Sequence, residues 1–465
     1  MAINASSDNR GQWGSKFGFI MAAAGSAVGL GNIWRFPYIT GENGGGAFVL
    51  VYLLCVILIG VPLLFTEMGL GRMTKKSTIG AFKDTGANPL FMGLGAILAL
   101  AVSFFVLSFY GNIAGWTIGY IGKSLTGSTQ SFADFAADGG TAIALMGVFT
   151  IATILIVRLG VSGGIEKAAK ILMPVLFILI AVVAIRSLTL EGAMAGVEFY
   201  LKPDFSKIDG NSVLAALGQA FFSMSIGWGI MITYGSYLPK SANIVSSGVW
   251  VGFMDAGVAL LAGFMIFPAV FAFGMDPAAG PALVFEILPV VFASMPGGAI
   301  IGAFFFLLLL VAALTSSVSM LEVPASYFMD EKKWSRSKSA WVVGGLLFLV
   351  GIPSALSHNS SEFFTNMSLP LPWLDEPKVG FQNILDYLFG EFFIVVVALV
   401  TSIYAAWKIG ANKIIDELAE GSEKFQSGTA KAKGLMFFIK YICPLVILAV
   451  LLNMLGVFGV FAGGG

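Results

Sequence analysis

Long apolar runs separated by short polar stretches make up this chain, and eleven of them reach the roughly 18 residues needed to cross a bilayer. We number them segments 1 to 11: about 16–39, 46–71, 89–123, 141–158, 168–186, 212–238, 244–274, 287–329, 339–357, 382–408 and 434–461. The pattern predicts an all-α integral membrane protein. Two segments are interrupted. In segment 1, Gly25-Ser26-Ala27-Val28-Gly29-Leu30-Gly31-Asn32 places glycines and polar side chains where a helix should continue. In segment 6, Phe221-Phe222-Ser223-Met224-Ser225-Ile226-Gly227-Trp228-Gly229 repeats the pattern.

Glycine costs about 1 kcal/mol relative to alanine inside a helix. A break facing lipid leaves backbone groups unpaired at several kcal/mol each, so both breaks must face protein, water or a ligand. Paired interruptions at the start of each half predict a 5+5 inverted repeat, the arrangement of many transporters. The expected division is one transporter domain, 1–465, with repeat one at about 10–186, repeat two at about 211–408 and an accessory helix at about 434–461. The longest polar loops are about 187–211, 358–381 and 409–433.

Composition agrees: 57% of residues are hydrophobic, 11% are charged and the mean hydropathy is +0.89. With the N-terminus inside, roughly 20 of the 26 basic residues fall on cytoplasmic segments and only about five outside. An odd segment count then puts the C-terminus outside the cell membrane. A net charge of zero points to neither nucleic acid nor a polybasic lipid switch. The polar first dozen residues lack the pattern of a cleavable signal, and Cys55 and Cys443 sit in apolar segments, implying no disulfide. No phosphate-binding Gly-x4-Gly-Lys-Ser/Thr loop occurs, and a single histidine with scattered acids argues against an enzyme.

An unwound helix offers free carbonyls beside side-chain oxygens, which suits hard monovalent cations. Ala27, Asn32, Ser223 and Asp255 form one oxygen set if their segments meet. Asp255 in mid-segment is costly unless partnered, either at such a site or in a structural ion pair. Ala312, Thr315 and Ser316 form a second set, although such hydroxyls also satisfy their own helix. Half-helix N-termini near Leu30 and Gly31 favour an anionic group such as a carboxylate. Tyr110 adds a phenolic donor, or else anchors at the interface. Arg35 and Asp386 form an outer gate or a snorkelling pair. Arg10, Trp13 and Asp330 are the inner counterpart. Glu67 reads as a hydrogen-bond hub or a proton site, and His358 as a loop residue.

The run from Ala23 to Tyr38, followed by Glu42-Asn43-Gly44-Gly45-Gly46-Ala47-Phe48, closely resembles the signature of the neurotransmitter:sodium symporter family. The resemblance continues through Phe-Phe-Ser-Met-Ser of segment 6, Leu314-Thr315-Ser316-Ser317 and Ile384-Leu385-Asp386-Tyr387. It implies sodium-driven uptake by alternating access, with two sodium sites and no organic cofactor. The first would be Ala27, Asn32, Ser223 and Asp255; the second Gly25, Val28, Ala312, Thr315 and Ser316. Substrate contacts would be Ser26, Ala27, Leu30, Gly31, Val106, Tyr110, Phe222, Ser223, Ser225, Trp228, Ser316 and Met320, with Phe222 and Tyr110 as an aromatic lid.

Chloride-dependent members resemble this chain at Tyr52, Gln219 and Ser223 but lack the carboxylate of Asp255, which implies chloride independence here. Monoamine carriers have Asp where this chain has Gly29, which implies a substrate that brings its own carboxylate. Bulky Trp228 favours a small or medium neutral amino acid, while adaptable Met320 leaves a large hydrophobic one open. Eleven segments instead of twelve resemble a common bacterial variant of the family, which implies a bacterial cytoplasmic membrane. The expectation is a sodium-coupled carrier of neutral L-amino acids. Its rivals are a carrier of a carboxylated osmolyte or γ-aminobutyrate-like compound, and a non-transporting amino acid sensor.

Overall fold

A computed structural model describes residues 11–278, 283–293, 296–374 and 376–457. Among them, nine continuous helices are long and apolar enough to span a membrane: Gly46–Thr74, Pro89–Thr126, Gly139–Arg158, Val161–Leu188, Ile244–Ala272, Gly298–Lys332, Arg336–Leu356, Phe381–Ala419 and Ala430–Met454. Segment 1 adds a tenth as a broken pair, Lys16–Ala27 and Gly31–Glu42, bent by 48°. Segment 6 is two shorter helices, Gly210–Ser223 and Ile230–Ser236, on either side of an unwound turn. Ten spans therefore pass on length and hydropathy, and segment 6 is too fragmented to be counted with them as the eleventh.

Capping residues mark where several segments begin. Side chains of Ser15, Asp138, Asp209, Asn243, Ser335 and Thr429 each accept from a backbone N–H in the first turn of the helix that follows. Layering follows burial. In the most apolar windows of Gly46–Thr74, Ile244–Ala272 and Gly298–Lys332, 61% of residues are buried, against 22% for Ala430–Met454. The former are central and the latter is peripheral. Outward-facing Ile151, Leu155, Ile178, Ile185, Leu445 and Leu448 form the apolar exterior that lipid requires.

Several stretches depart from the sequence reading, among them the expected loop 187–211, which contains the helix Ala193–Leu201. The expected segment 8, 287–329, is too long for one crossing; it divides into a short apolar helix over 284–293 and the long helix Gly298–Lys332, which begins at left-handed Gly297. The polar stretch 409–433 contains the amphipathic helix Ala411–Ala419. Buried Arg72, at the end of segment 2, pairs with Glu417 of that helix at 2.6 Å and donates to the Ala242 carbonyl at 2.5 Å. Finally, 358–381 contains a two-residue strand pair, Ser368–Leu369 against Lys378–Val379, the one departure from an all-helical chain among the described residues.

Candidate functional site

The two breaks lie side by side at the centre of the bundle. The first half-helix of segment 1 ends with the Val28 N–H bonded to the Ala24 carbonyl at 2.6 Å, and the chain resumes as a π-helical turn at Gly31–Arg35. In segment 6 the turn from Met224 to Gly229 passes through positive φ at Ser225 (54°), Gly227 (83°) and Gly229 (72°). Gly227 also lies against the Ile394 carbonyl, where a Cβ would come within 2.5 Å. Glycine serves on both counts.

Neighbouring side chains replace the hydrogen bonds lost in segment 6. Glu67 accepts from the Gly227 N–H at 2.9 Å, Ser103 donates to the Trp228 carbonyl at 2.7 Å, and Thr78 donates to the Gly229 carbonyl at 2.9 Å. Glu67 makes this bond through Oε1, and its Oε2 is buried without a hydrogen-bond partner among the described residues.

One oxygen-rich cluster joins segments 1, 2, 6 and 7. The Asn32 amide donates to Asp255 Oδ1 at 2.7 Å and to the Ser223 hydroxyl at 2.9 Å. Ser223 donates to Asp255 Oδ1 at 2.7 Å, and Tyr52 reaches both Ser223 and Asp255 at 3.3 and 3.4 Å. Gln219 donates to the Gly31 carbonyl at 2.8 Å. Asp255 is fully buried and held by neutral hydrogen-bond donors. Ala27 lies at the break itself, the last residue of the first half-helix.

A second cluster joins segments 1 and 8. The Ser316 hydroxyl donates to the Gly25 and Ser26 carbonyls at 3.3 and 3.2 Å. Thr315, bonded back to Ala312 at 2.9 Å, packs so tightly on Gly25 that a Cβ there would be 3.1 Å from its own. Val28 and Ala312 are fully buried. Between the clusters, Ser225 donates to the Ser26 carbonyl at 3.1 Å, and the Ser26 hydroxyl meets Ser319 at 2.7 Å. The Leu30 N–H donates to the Tyr110 hydroxyl at 3.4 Å. Ser319, which the sequence reading missed, is one turn from Ser316 on the same helix.

The remaining expected contacts line this region. Val106 and Met320 are buried one helical turn from Tyr110 and Ser316. Trp228 is buried with its ring edge-on to Phe222, centroids 5.5 Å apart. Phe222 is half-buried above the break, where a Cβ on Gly31 would come within 2.8 Å of its ring. Gly29 is confined further: a Cβ there would lie 2.4 Å from the Ser316 hydroxyl and 3.2 Å from that of Tyr110.

The two ends of the site differ. Toward the N-terminal face, Trp13 is buried, packs edge-on against Phe19 and Tyr234, and donates its indole N–H to the Tyr234 carbonyl at 3.0 Å. Asp330 accepts from the Ser77 N–H at 2.7 Å, and Arg10 lies outside the described residues. Toward the opposite face, a cavity of about 390 Å³ descends to Arg35 and Phe222. Arg35 stacks over the Phe222 ring at 4.8 Å. Its ion pair, at 3.2 Å, is with Glu391 and not with the expected Asp386. Both acids lie on the π-helical turn Asp386–Phe392, whose i→i+5 bonding brings residue 391 above residue 386. An α-helical spacing rule does not reveal that neighbour.

Comparison with known proteins gives the family. The profile of the sodium:neurotransmitter symporter family covers residues 10–132 and 130–460. The chain belongs to the sodium:neurotransmitter symporter family. Among symporters of this kind, a sodium-dependent transporter of Bacillus subtilis strain 168, YhdH, is 41% identical over 459 residues, covering 96% of this chain and 98% of its own. The human sodium- and chloride-dependent creatine transporter 1 is 26% identical over 484 residues, covering 88% of this chain and 72% of its own. The crystal structure of MhsT in complex with L-phenylalanine is 40% identical and superposes with a TM-score of 0.86, covering 96% of this chain and 100% of that one. This protein is a sodium-dependent membrane symporter, not an enzyme.

Proposed function

We propose that this symporter carries neutral L-amino acids with sodium and without chloride, by alternating access. The observation that carries the substrate class is Gly29: Ser316 and Tyr110 close on it so tightly that no side-chain carboxylate fits there to pair with a lone amine. A substrate must supply its own carboxylate, and the break at Leu30–Gly31 together with the Tyr110 hydroxyl provides donors for one. MhsT was crystallised with L-phenylalanine, which favours an α-amino acid.

For sodium we assign Ala27, Asn32, Ser223 and Asp255 to one site and Gly25, Val28, Ala312, Thr315 and Ser316 to the other. Both sets offer only oxygen, the ligand type such a cation takes, and no cluster of three or more His, Cys, Asp or Glu occurs among the described residues. Chloride independence follows from Asp255, whose carboxylate supplies beside Tyr52, Gln219 and Ser223 the negative charge that an anion would otherwise bring. We orient the N-terminal face, sealed by Trp13, toward the cytoplasm and the C-terminus outward, from the Lys and Arg distribution. Breaks leading segments 1 and 6 support repeats at about 10–186 and 211–408.

Uptake of radiolabelled amino acids into proteoliposomes tests this, with an inward sodium gradient or potassium in its place, each with and without chloride. Accumulation that needs sodium and ignores chloride is expected. Sodium-dependent binding without accumulation would refute transport, and a chloride requirement would refute the role of Asp255.

A further inference from the structure

Away from the central site, a second group of buried polar atoms lies where segments 3, 9 and 10 meet at the face opposite Trp13. Asn112 and Trp116 stand one turn apart on segment 3. The ring of His358, two residues past the end of segment 9, lies edge-on to Trp116 with centroids 4.8 Å apart. Gln382, at the start of segment 10, accepts from the Asn112 amide at 2.9 Å. Three atoms of this group are buried and have no hydrogen-bond partner among the described residues: Asn112 Oδ1, Trp116 Nε1 and His358 Nε2. Buried polar atoms rarely go unpaired, because each costs about 1–3 kcal/mol. Together they offer one obligate acceptor, one obligate donor and one imidazole nitrogen able to do either.

We propose that this pocket is a proton-binding site on the outer face, and that protonation of His358 from outside loosens the outer closure and slows transport. The proposal rests on the orientation given above. The imidazole lies against the Trp116 ring, which Phe132 and Phe285 back at 5.0 and 5.7 Å, and this apolar contact favours its neutral form. Burial accordingly pushes the imidazole below its ordinary range, and the Gln382 amide opposes this only in part.

Titratable groups on the surrounding elements are engaged elsewhere. Tyr120 donates to the Phe285 carbonyl at 2.9 Å, Lys123 lies over the Tyr120 ring at 4.4 Å, and Glu286 acts on Tyr120. Asp138 caps segment 4, Lys378 lies over the Tyr387 ring at 5.2 Å, and Asp386 acts on Arg35. The sign follows: the pocket is intact while His358 is neutral and weakens as pH falls through its titration. The effect reaches the gate by a short path, since Gln382 precedes Asp386 by one turn and Asn112 follows Tyr110 by two residues.

His358 is the only histidine of the chain, so protein labelled with isotopic histidine and purified through a histidine-free tag gives one imidazole signal. In nanodiscs that signal should titrate below the ordinary value of about 6.5. In proteoliposomes with neutral lumen, L-phenylalanine uptake should fall about tenfold per unit of external pH below that point, as a single-proton limb requires. His358→Gln should stay within about twofold across the same range. An imidazole titrating like an exposed one, or an unchanged acid limb in His358→Gln, overturns the proposal. A low-titrating signal without any sodium-driven uptake would sink the transport reading and leave the proton site standing.

Discussion

Replacing Asp255 by Asn keeps the side-chain shape and removes the charge, so it isolates what the carboxylate does. The acid accepts two short hydrogen bonds, from Asn32 and from Ser223, both 2.7 Å, and is fully buried. Charge-assisted bonds contribute about 1.5–3 kcal/mol each and neutral ones about 0.5–1.5. The local network therefore weakens, but a neutral amide is cheaper to bury than a carboxylate, and the two effects oppose each other in folding. Sodium binding has no such offset. A unit charge about 4 Å from the ion is worth roughly 4 kcal/mol at an effective dielectric constant of 20, and the amide oxygen that Asn keeps returns part of this, which leaves about a hundredfold in affinity. Sodium titrations of amino acid uptake in chloride-free gluconate should shift about a hundredfold for Asp255→Asn, and added chloride should recover most of the loss. Wild-type protein should respond to neither anion. A variant with wild-type sodium dependence in gluconate would refute the reasoning.

Other substitutions probe separate parts of the structure. Gly29→Ala puts a Cβ 2.4 Å from the Ser316 hydroxyl and should cost about 1–3 kcal/mol of substrate binding, read as a rise of roughly tenfold or more in apparent KM. Gly122→Ala, which meets nothing within 4 Å, is the control. Arg72→Ala leaves buried Glu417 with only Lys240, at 2.5 Å, for an ion-pair partner, and should lower stability by about 3–5 kcal/mol in a detergent melt without changing sodium affinity in the folded fraction. Trp228→Ala removes a buried indole beside Phe222 and should let larger hydrophobic amino acids compete better for uptake; unchanged competition would remove the argument from pocket size.

The parts of this molecule legible in the sequence are those whose physics is local. Glycines and polar residues inside apolar runs announced both breaks, because membrane backbone cannot be left unpaired. Asp255 stood out because a mid-segment carboxylate needs a reason. Glu391 stayed hidden because its approach to Arg35 depends on a π-helical turn that hydropathy does not encode. Ser319 stayed hidden because a serine in a Ser-rich helix gives no hint of which neighbour it faces. The helix Ala411–Ala419 escaped notice because its polar face breaks the apolar run, and its anchor, Arg72, lies 345 positions away from Glu417. The split of segment 8 was signalled only by excess length.

Glu67, Ser103 and Thr78 hold the unwound turn of segment 6 through hydrogen bonds that belong to the protein itself. The cost of unwinding thus falls on folding rather than on binding, and ligands meet a backbone already arranged for them. This places the protein on the activity side of a stability trade-off. Engineering that exchanges Gly227 and Gly229 for helix formers and removes Glu67 would favour a continuous, more robust helix. The same change would withdraw the carbonyls and hydroxyls that the ligands need, so a hardier variant obtained this way should be an inert one.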